Sequence, residues 1–216
     1  MLMARKVENC WKDGNKKDMK SLFMDTAWKH LVLVLLEDGQ VAASFVHDAF
    51  KKQSETLFVE LKALLESTGW KLGDLDEVII TDGPGSYTGL RIAMTSAKLL
   101  GTQADIDVKT VSTFQMYAGD EPKANVILDA RGGRAYAAHL ENGQPSWMGI
   151  LSLDQVPAFL DEHPGTLFGE GWLVNREAAP SAFVENVQKI VPIAAKVENV
   201  HALIPRYMKE SDSYKV

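Results

Sequence analysis

The sequence of 216 residues contains one cysteine, Cys10, and five histidines. One cysteine cannot form an internal disulfide, and it excludes a zinc site built from several cysteines. The longest apolar run, 31–36, is far too short to cross a bilayer, and no secretory signal is visible. The 23 Lys and Arg residues are outnumbered by 29 Asp and Glu, so a broad nucleic-acid-binding face is not expected. We therefore expect a cytoplasmic protein that would need a basic partner to hold RNA.

The composition, with 46% hydrophobic and 24% charged residues, is typical of a globular protein of one large domain or two small ones. Residues 1–18 are charged and lack hydrophobic periodicity, whereas a start at Met19 runs directly into a strand pattern. We interpret 1–18 as an added leader or a disordered extension. Residues 19–121 are predicted to form one subdomain and residues 122–216 a second.

Residues 77–101 predict a strand, a glycine loop and a helix. The β-branched run 78–81 favours a buried strand, and the glycines and proline of 82–86 indicate a tight turn. Two interpretations of this loop remain open. The glycines serve steric needs of the turn, or the free amides at a helix start bind an anion or a partner. The loop lacks the Gly-Lys-Ser/Thr of a Walker phosphate loop and the Gly-x-Ser-x-Gly of a nucleophile elbow.

Two predicted helices, 53–67 and 88–101, carry apolar faces. The first places leucines and Phe58 along one side, and the second repeats Ala93, Ala97 and Gly101 every four residues. Such a small-residue stripe lets another helix or a sheet approach closely. Both faces therefore predict either a partner contact or packing against the protein's own sheet. The predicted partner interface comprises Leu57, Phe58, Leu61, Leu64, Leu90, Ala93, Met94, Ala97 and Gly101.

The chain contains two similar hairpin units. Asp25 ends one strand and precedes the turn residue Gly39, and Asp129 ends another and precedes Gly143 by the same offset. Asp-Gly and Asn-Gly turns are strong hairpin signals, and they are common enough for coincidence to be the alternative explanation. We interpret the repetition as an internal duplication within an α/β protein. The second copy is followed by too few residues for a full set of helices.

Strand-ending aspartates that each open a hairpin resemble the architecture of acetate and sugar kinases, heat-shock proteins and actin. The resemblance implies two ribonuclease-H-like, actin-like ATPase (ASKHA) subdomains with mixed β-sheets flanked by helices, the second reduced. In that superfamily paired loops grip nucleotide phosphates and magnesium, usually as Asp-x-Gly-Thr or Asp-x-Gly-Gly. Here Trp28 stands near the first aspartate without a glycine between them. The candidate degenerate nucleotide loops contain Asp25, Thr26, Asp82, Gly83, Gly85 and Asp129, for which structural roles are the alternative.

A longer block makes the likeness more specific. The segment 83–92, GPGSYTGLRI, resembles the TsaB family, also called YeaZ, together with Asp25-Thr26, Asp129-Ala130-Arg131 and the sequence PRYM at 205–208. Ser112-Thr113 and Tyr136 also fit. The resemblance implies a noncatalytic subunit that binds and activates a TsaD-like enzyme for threonylcarbamoylation of the tRNA adenosine beside the anticodon. It also implies a TsaE-like ATPase as a further partner, a homodimer when the chain is alone, and tRNA contact only through the complex. No cofactor of its own is expected, with ATP or ADP shared at the partner interface as the alternative.

The opposing hypothesis is a stand-alone enzyme of the ATPase superfamily, either a small kinase or a glycoprotease-like hydrolase. The TsaD-like metal site uses a His-x-x-x-His pair on one helix face. The histidines at 30, 47, 139, 163 and 201 include no two that are four apart, and no nucleophilic triad is recognisable. We therefore predict no catalytic residue and no metal site.

Overall fold

The computed structural model describes residues 18–49, 52–103 and 106–208. The interpretation of residues 1–18 as a leader lies, apart from Asp18, outside the described residues. Within the described residues the chain forms two mixed β-sheets, and no helix there combines the length and apolar character of a bilayer-crossing segment.

The first sheet contains six strands within the described residues: β1 (Lys20–Asp25), β2 (His30–Glu37), β3 (Gln40–Asp48), β4 (Glu77–Thr81), β5 (Asp107–Val111) and β10 (Ala195–Lys196). Their order in the sheet is β10-β5-β4-β1-β2-β3. β1 pairs antiparallel with β2 and parallel with β4, and β4 is parallel to β5. The long hydrophobic runs of the central strands reflect burial on both faces. The helices of this half are α1 (Gln53–Thr68), α2 (Tyr87–Gln103) and α3 (Thr113–Ala118).

The second sheet has four strands in the order β8-β7-β6-β9 among the residues described. These strands are β6 (Lys123–Asp129), β7 (Arg134–Glu141), β8 (Gln144–Ser152) and β9 (Thr166–Gly169). Its helices are α4 (Val156–Glu162) and α5 (Phe183–Ile190), with a 3₁₀ turn at Gly171–Val174. The order matches β3-β2-β1-β4 of the first sheet, so the two hairpin units recognised in the sequence occupy equivalent places.

The two hairpins also share their local geometry. Asp38-Gly39 and Asn142-Gly143 all have φ between 49° and 77°, the left-handed conformation that a two-residue type I′ turn requires. Each hairpin contains one register irregularity near its turn, between Leu35 and Leu36 and between His139 and Leu140. The predicted α/β architecture of two ribonuclease-H-like halves, the second reduced, is confirmed.

Alternation along the strands divides the core. In β1, Leu22 and Met24 pack with α1 and α2, whereas Phe23 faces α3 and the second half. The helix α5 was not predicted, although Val187 and Ile190 bury one face of it. After α5 the chain returns to the first sheet, where β10 pairs with β5. The boundary between residues 121 and 122 falls between α3 and β6 and stays a prediction.

Candidate functional site

A cleft of about 720 Å³ lies between the two halves of the molecule. Its walls combine the loop after β1, the glycine loop before α2, the loop after β6 and the last described residues. The lining contains five aromatic rings together with cationic and anionic side chains. The aromatic and charged side chains of the lining include Trp28, Lys29, Tyr87, Asp129, Arg131, Glu170, Trp172, Arg206 and Tyr207.

Asp25 lies beneath this cleft and has no exposed surface. One carboxylate oxygen accepts hydrogen bonds from the Thr81 hydroxyl and, at 3.2 Å, from the Ala27 amide. The other oxygen is buried without a hydrogen-bond partner among the described residues. Burial raises the pKa of Asp25 from 3.8 to about 6, and the two hydrogen bonds partly oppose that shift. Ionisation of Asp25 in the folded protein therefore requires more free energy than ionisation of an exposed aspartate.

The glycine loop packs tightly against the residues that come after Asp25. A Cβ on Gly85 would lie 2.6 Å from the carbonyl oxygen of Ala27, and one on Gly89 would collide with the Thr26 carbonyl. The Ser86 amide donates to the Ala27 carbonyl at 2.7 Å, so it is already used within the protein. The Thr26 hydroxyl donates to the Gly89 carbonyl at 2.6 Å. Of the two interpretations of this loop, the geometry favours the steric one.

Asp82 connects the glycine loop with the end of the described chain. Its carboxylate accepts from the Arg206 guanidinium at 3.0 Å, and its carbonyl accepts from the Arg206 amide at 2.7 Å. Gly83 has φ of +128°, and a Cβ there would lie 2.7 Å from the Arg206 carbonyl. Burial raises the pKa of Asp82, and the neighbouring Arg206 opposes that effect. Asp82 therefore binds both the backbone and the side chain of Arg206, near the end of the described chain.

Asp129 is partly exposed at the opposite wall of the cleft. One of its carboxylate oxygens accepts from the Arg131 amide at 2.7 Å and forms a local turn. Its own amide donates to Glu170 at 2.7 Å, and Glu170 also pairs with Lys29 from the first half. Lys29 lies 5.9 Å from the ring centre of Trp172. Glu170 thus joins the two aspartate loops across the cleft.

The actin-like ATPase resemblance implies a magnesium nucleotide held by paired loops, and the Asp25 loop and the glycine loop do not fit one. The Asp25 carboxylate is buried and bonded to Thr81, and the amides of Ala27 and Ser86 are used internally. The glycine faces at 85 and 89 press against backbone, so they leave no open cradle for phosphate. Within residues 18–49, 52–103 and 106–208, no cluster of three His, Cys, Asp or Glu side chains could hold a metal ion.

The structure places most of the predicted partner interface inside its own half. Six of its nine residues are at most 3% exposed in the isolated chain: Leu57, Leu61, Leu90, Ala93, Met94 and Ala97. Gly101 also faces inward, since a Cβ there would lie 2.7 Å from a methyl group of Val108. Leu64 is partly buried. Phe58, at 52% exposure, is the one member of the set that points mainly to solvent.

The opposite faces of the same helices are available instead. Val59 in α1 is 64% exposed and Leu99 in α2 is 53% exposed. We call Phe58, Val59 and Leu99 the outer apolar face. Sequence reasoning missed Val59 and Leu99 because it followed the longest stripe, and the longest stripe of an amphipathic helix covers the core. Glu170 and Trp172 were also missed, although the cluster 169–172, GEGW, is a visible loop signal.

The four-strand order that both sheets share and the cleft between them define a protein with the actin-like ATPase (ASKHA) fold. A family model described as TsaD, tRNA N6-adenosine threonylcarbamoyltransferase, matches residues 41–151. The YeaZ structure from Pseudomonas aeruginosa superposes with a TM-score of 0.71 at 19% identity, covering 88% of this chain and 99% of that one.

Several relatives match most of the chain. A Bacillus subtilis protein named tRNA threonylcarbamoyladenosine biosynthesis protein TsaB is 24% identical, over 90% of this chain and 96% of its own. The Escherichia coli protein of that name is 28% identical, over 71% and 72%. An uncharacterized Mycobacterium tuberculosis protein is 32% identical, over 76% and 78%. The chain belongs to the TsaD-type family that the model describes and, by these relatives, to the TsaB/YeaZ family.

Proposed function

We propose that this chain is a noncatalytic subunit in tRNA threonylcarbamoyladenosine biosynthesis. In this role it binds and activates a TsaD-like enzyme that modifies the adenosine beside the anticodon. The names of the Bacillus subtilis and Escherichia coli relatives support the pathway. The chain's excess of acidic residues supports tRNA contact through the complex and not through this subunit alone.

The observation that carries the docking proposal is the outer apolar face. Phe58, Val59 and Leu99 expose 52%, 64% and 53% of their surface on the two helices that cover the first sheet. Large apolar side chains exposed on neighbouring helices are candidates for a protein–protein contact. The buried stripes on the other side of α1 and α2 pack both helices into the core of the first half.

Charge insertion tests the docking proposal. Leu99→Glu and Val59→Glu place a carboxylate within the proposed contact, and we expect each to weaken binding of a TsaD-like subunit by at least ~10-fold. The matched control is Val41→Glu, at a residue 36% exposed on the edge strand β3. Binding is measured by isothermal titration, and threonylcarbamoyl transfer to tRNA is measured with the same pairs. Unchanged binding by both variants, or binding without any gain in transfer rate, would contradict the proposal.

The noncatalytic part of the proposal is supported by the missing His-x-x-x-His pair of the full sequence. The competing function remains a stand-alone kinase or glycoprotease-like hydrolase of the ATPase superfamily. Because the chain's own loops do not fit a magnesium nucleotide, we propose that ATP or ADP binds only at the contact with the partner. Titration of ATP and magnesium into the isolated chain and into the complex distinguishes these functions. Turnover by the isolated chain would overturn the noncatalytic assignment, and tight binding of ATP by the isolated chain would overturn the placement of the nucleotide at the partner contact.

Three further properties belong to the same proposal. The isolated chain forms a homodimer through α1 and α2, a TsaE-like ATPase joins the complex, and the protein works in the cytoplasm. A four-helix contact between two copies would cover the outer apolar face of each. Sedimentation of the wild type and Leu99→Glu tests the dimer, since the variant is expected to be monomeric.

A further inference from the structure

The end of the described chain runs along the whole of α2. Val200 lies beside Gly101 near the C-terminal end of the helix, and the Lys98 ammonium donates to the His201 carbonyl at 3.0 Å. At the other end, the Tyr207 ring stacks on Tyr87, the first residue of α2, with centroids 5.4 Å apart. We call residues 200–208 the C-terminal strap.

The strap is attached to the glycine loop mainly through Arg206. The Arg206 amide and guanidinium both bond to Asp82, and Gly83 leaves room for the Arg206 carbonyl. Met208 then packs against the core between the two halves. These contacts are specific, since any side chain at 83 would meet the strap backbone.

The strap is nevertheless lightly held compared with the sheets. After the 3₁₀ turn Val200–Ala202 it forms neither helix nor strand, and Ile204 is 74% exposed. The Arg206 side chain is 49% exposed, so water competes for its ion pair. Segments with few buried apolar contacts and exposed hydrogen bonds open with low free energy.

Opening of the strap would remove part of the wall of the large cleft. Arg206, Tyr207 and Met208 form part of the wall of the large cleft. Arg206 and Asp82 also line a second cavity of about 230 Å³ on the other side. The strap therefore separates the two cavities at the glycine loop.

We propose that the strap is a gate: Arg206 and Tyr207 leave the glycine loop while both sheets stay folded, and the large cleft opens towards the smaller cavity. The gate controls access to the aromatic walls of the cleft, including Trp28, whose indole nitrogen is buried without a hydrogen-bond partner among the described residues. The proposal does not depend on what docks on α1 and α2.

Hydrogen exchange of the full chain tests the gate. In the wild type we expect the Arg206 amide to exchange faster than the amides of β1 and β4. In Arg206→Gln the strap peptide should exchange at least ~10-fold faster still, with the peptides of β1 and β4 unchanged. Arg176→Gln, which breaks an exposed ion pair with Asp161 in the second half, is the matched control. Unchanged strap exchange, or equal acceleration in the sheets, would overturn the proposal.

A second measurement tests how accessible the large cleft is to solvent. With Trp11, Trp70, Trp147 and Trp172 replaced by phenylalanine, Trp28 is the sole tryptophan and reports on access from solvent. We expect Arg206→Gln to raise the acrylamide quenching constant of Trp28 about 2-fold. Tyr207→Ala, which removes the stacking on Tyr87 and keeps the ion pair, should give a smaller rise and serves if Arg206→Gln does not fold. A faster strap with unchanged Trp28 quenching in both variants would show that the strap is no gate.

Discussion

Asp25 and Asp129 end equivalent strands of the two halves, yet their surroundings are opposite. Asp25 is fully buried beneath α2, with Gly85 and Gly89 pressed against the residues after it. Asp129 is partly exposed, and Arg131, Gly132 and Gly133 after it adopt left-handed conformations. A Cβ on Gly133 would meet no atom within 4 Å. The loop after the strand-ending aspartate is therefore covered by packed residues in the first half, which we call the closed loop. It is partly exposed to solvent in the second half, which we call the open loop.

The difference comes from the element after the next parallel strand. After β4 the 17-residue helix α2 begins at the glycine loop and lies over the first aspartate. Directly after β9 the chain forms a 3₁₀ turn of four residues, and the helix α5 begins only at Phe183. Glu170 from that connection reaches the Asp129 amide. A long helix excludes water from a strand end, whereas a short turn cannot, so the reduction of the second half explains the open loop.

The largest expected effect is on the pH dependence of stability. Asp25 has a pKa of about 6 in the folded protein against an ordinary value of 3.8. Between these values the folded state keeps a proton that the unfolded state has lost, so the free energy of unfolding falls as pH rises through this window. The loss amounts to about 3 kcal/mol and is complete above pH 7. We expect Asp25→Asn to remove it in urea unfolding at pH 4 and pH 7.5.

The matched control for that experiment is Asp129→Asn at the equivalent position. Asparagine can keep the turn hydrogen bond to the Arg131 amide. We expect the difference in stability between pH 4 and pH 7.5 to stay as in the wild type. If Asp25→Asn also left this difference unchanged, the burial of Asp25 would not contribute to the pH dependence of the free energy of unfolding.

Sequence patterns predicted the strands of both hairpins because buried β-branched runs and Asp-Gly or Asn-Gly turns are local signals. They also placed Ala93, Ala97 and Gly101 on one face of a helix. The identity of the neighbour was not local information: Gly101 meets Val108 of β5, a contact that only the assembled sheet creates. The two-residue strand β10 and the path of the strap likewise depend on tertiary contacts and leave no periodic pattern.

A smaller effect is expected from a methyl group at the closed loop. In Gly89→Ala the new Cβ meets the Thr26 carbonyl, and overpacking of this kind costs about 3 kcal/mol. Alanine has a higher helix propensity than glycine, which stabilises the variant by about 1 kcal/mol. We therefore expect the free energy of unfolding in urea to fall by about 2 kcal/mol in total.

Gly133→Ala is the counterpart at the open loop. Gly133 has φ of +72° and no atom within 4 Å of the added Cβ, so backbone strain of about 1 kcal/mol is the expected cost. Equal losses at the two sites would mean that the first loop is not packed more tightly than the second.

The smallest effect is expected where the two loops meet. Glu170 pairs with Lys29 after β1 and accepts from the Asp129 amide after β6, so it links the closed loop to the open one. Glu170→Gln keeps an acceptor for that amide and loses the charge. The Lys29 side chain is 45% exposed and can be hydrated, so we expect a loss of only about 1 kcal/mol.

A double-mutant cycle separates the link from the rest of this loss. Lys29→Met combined with Glu170→Gln should show a coupling of roughly 0.5–1 kcal/mol, whereas Glu177→Gln, on the surface of the same half, should show none with Lys29→Met. Zero coupling between Lys29 and Glu170 would mean that the halves are held together by the apolar core between them. In that case the charged pair would only line the cleft, because burial of Phe23, Phe114 and Val126 would suffice to fix its width.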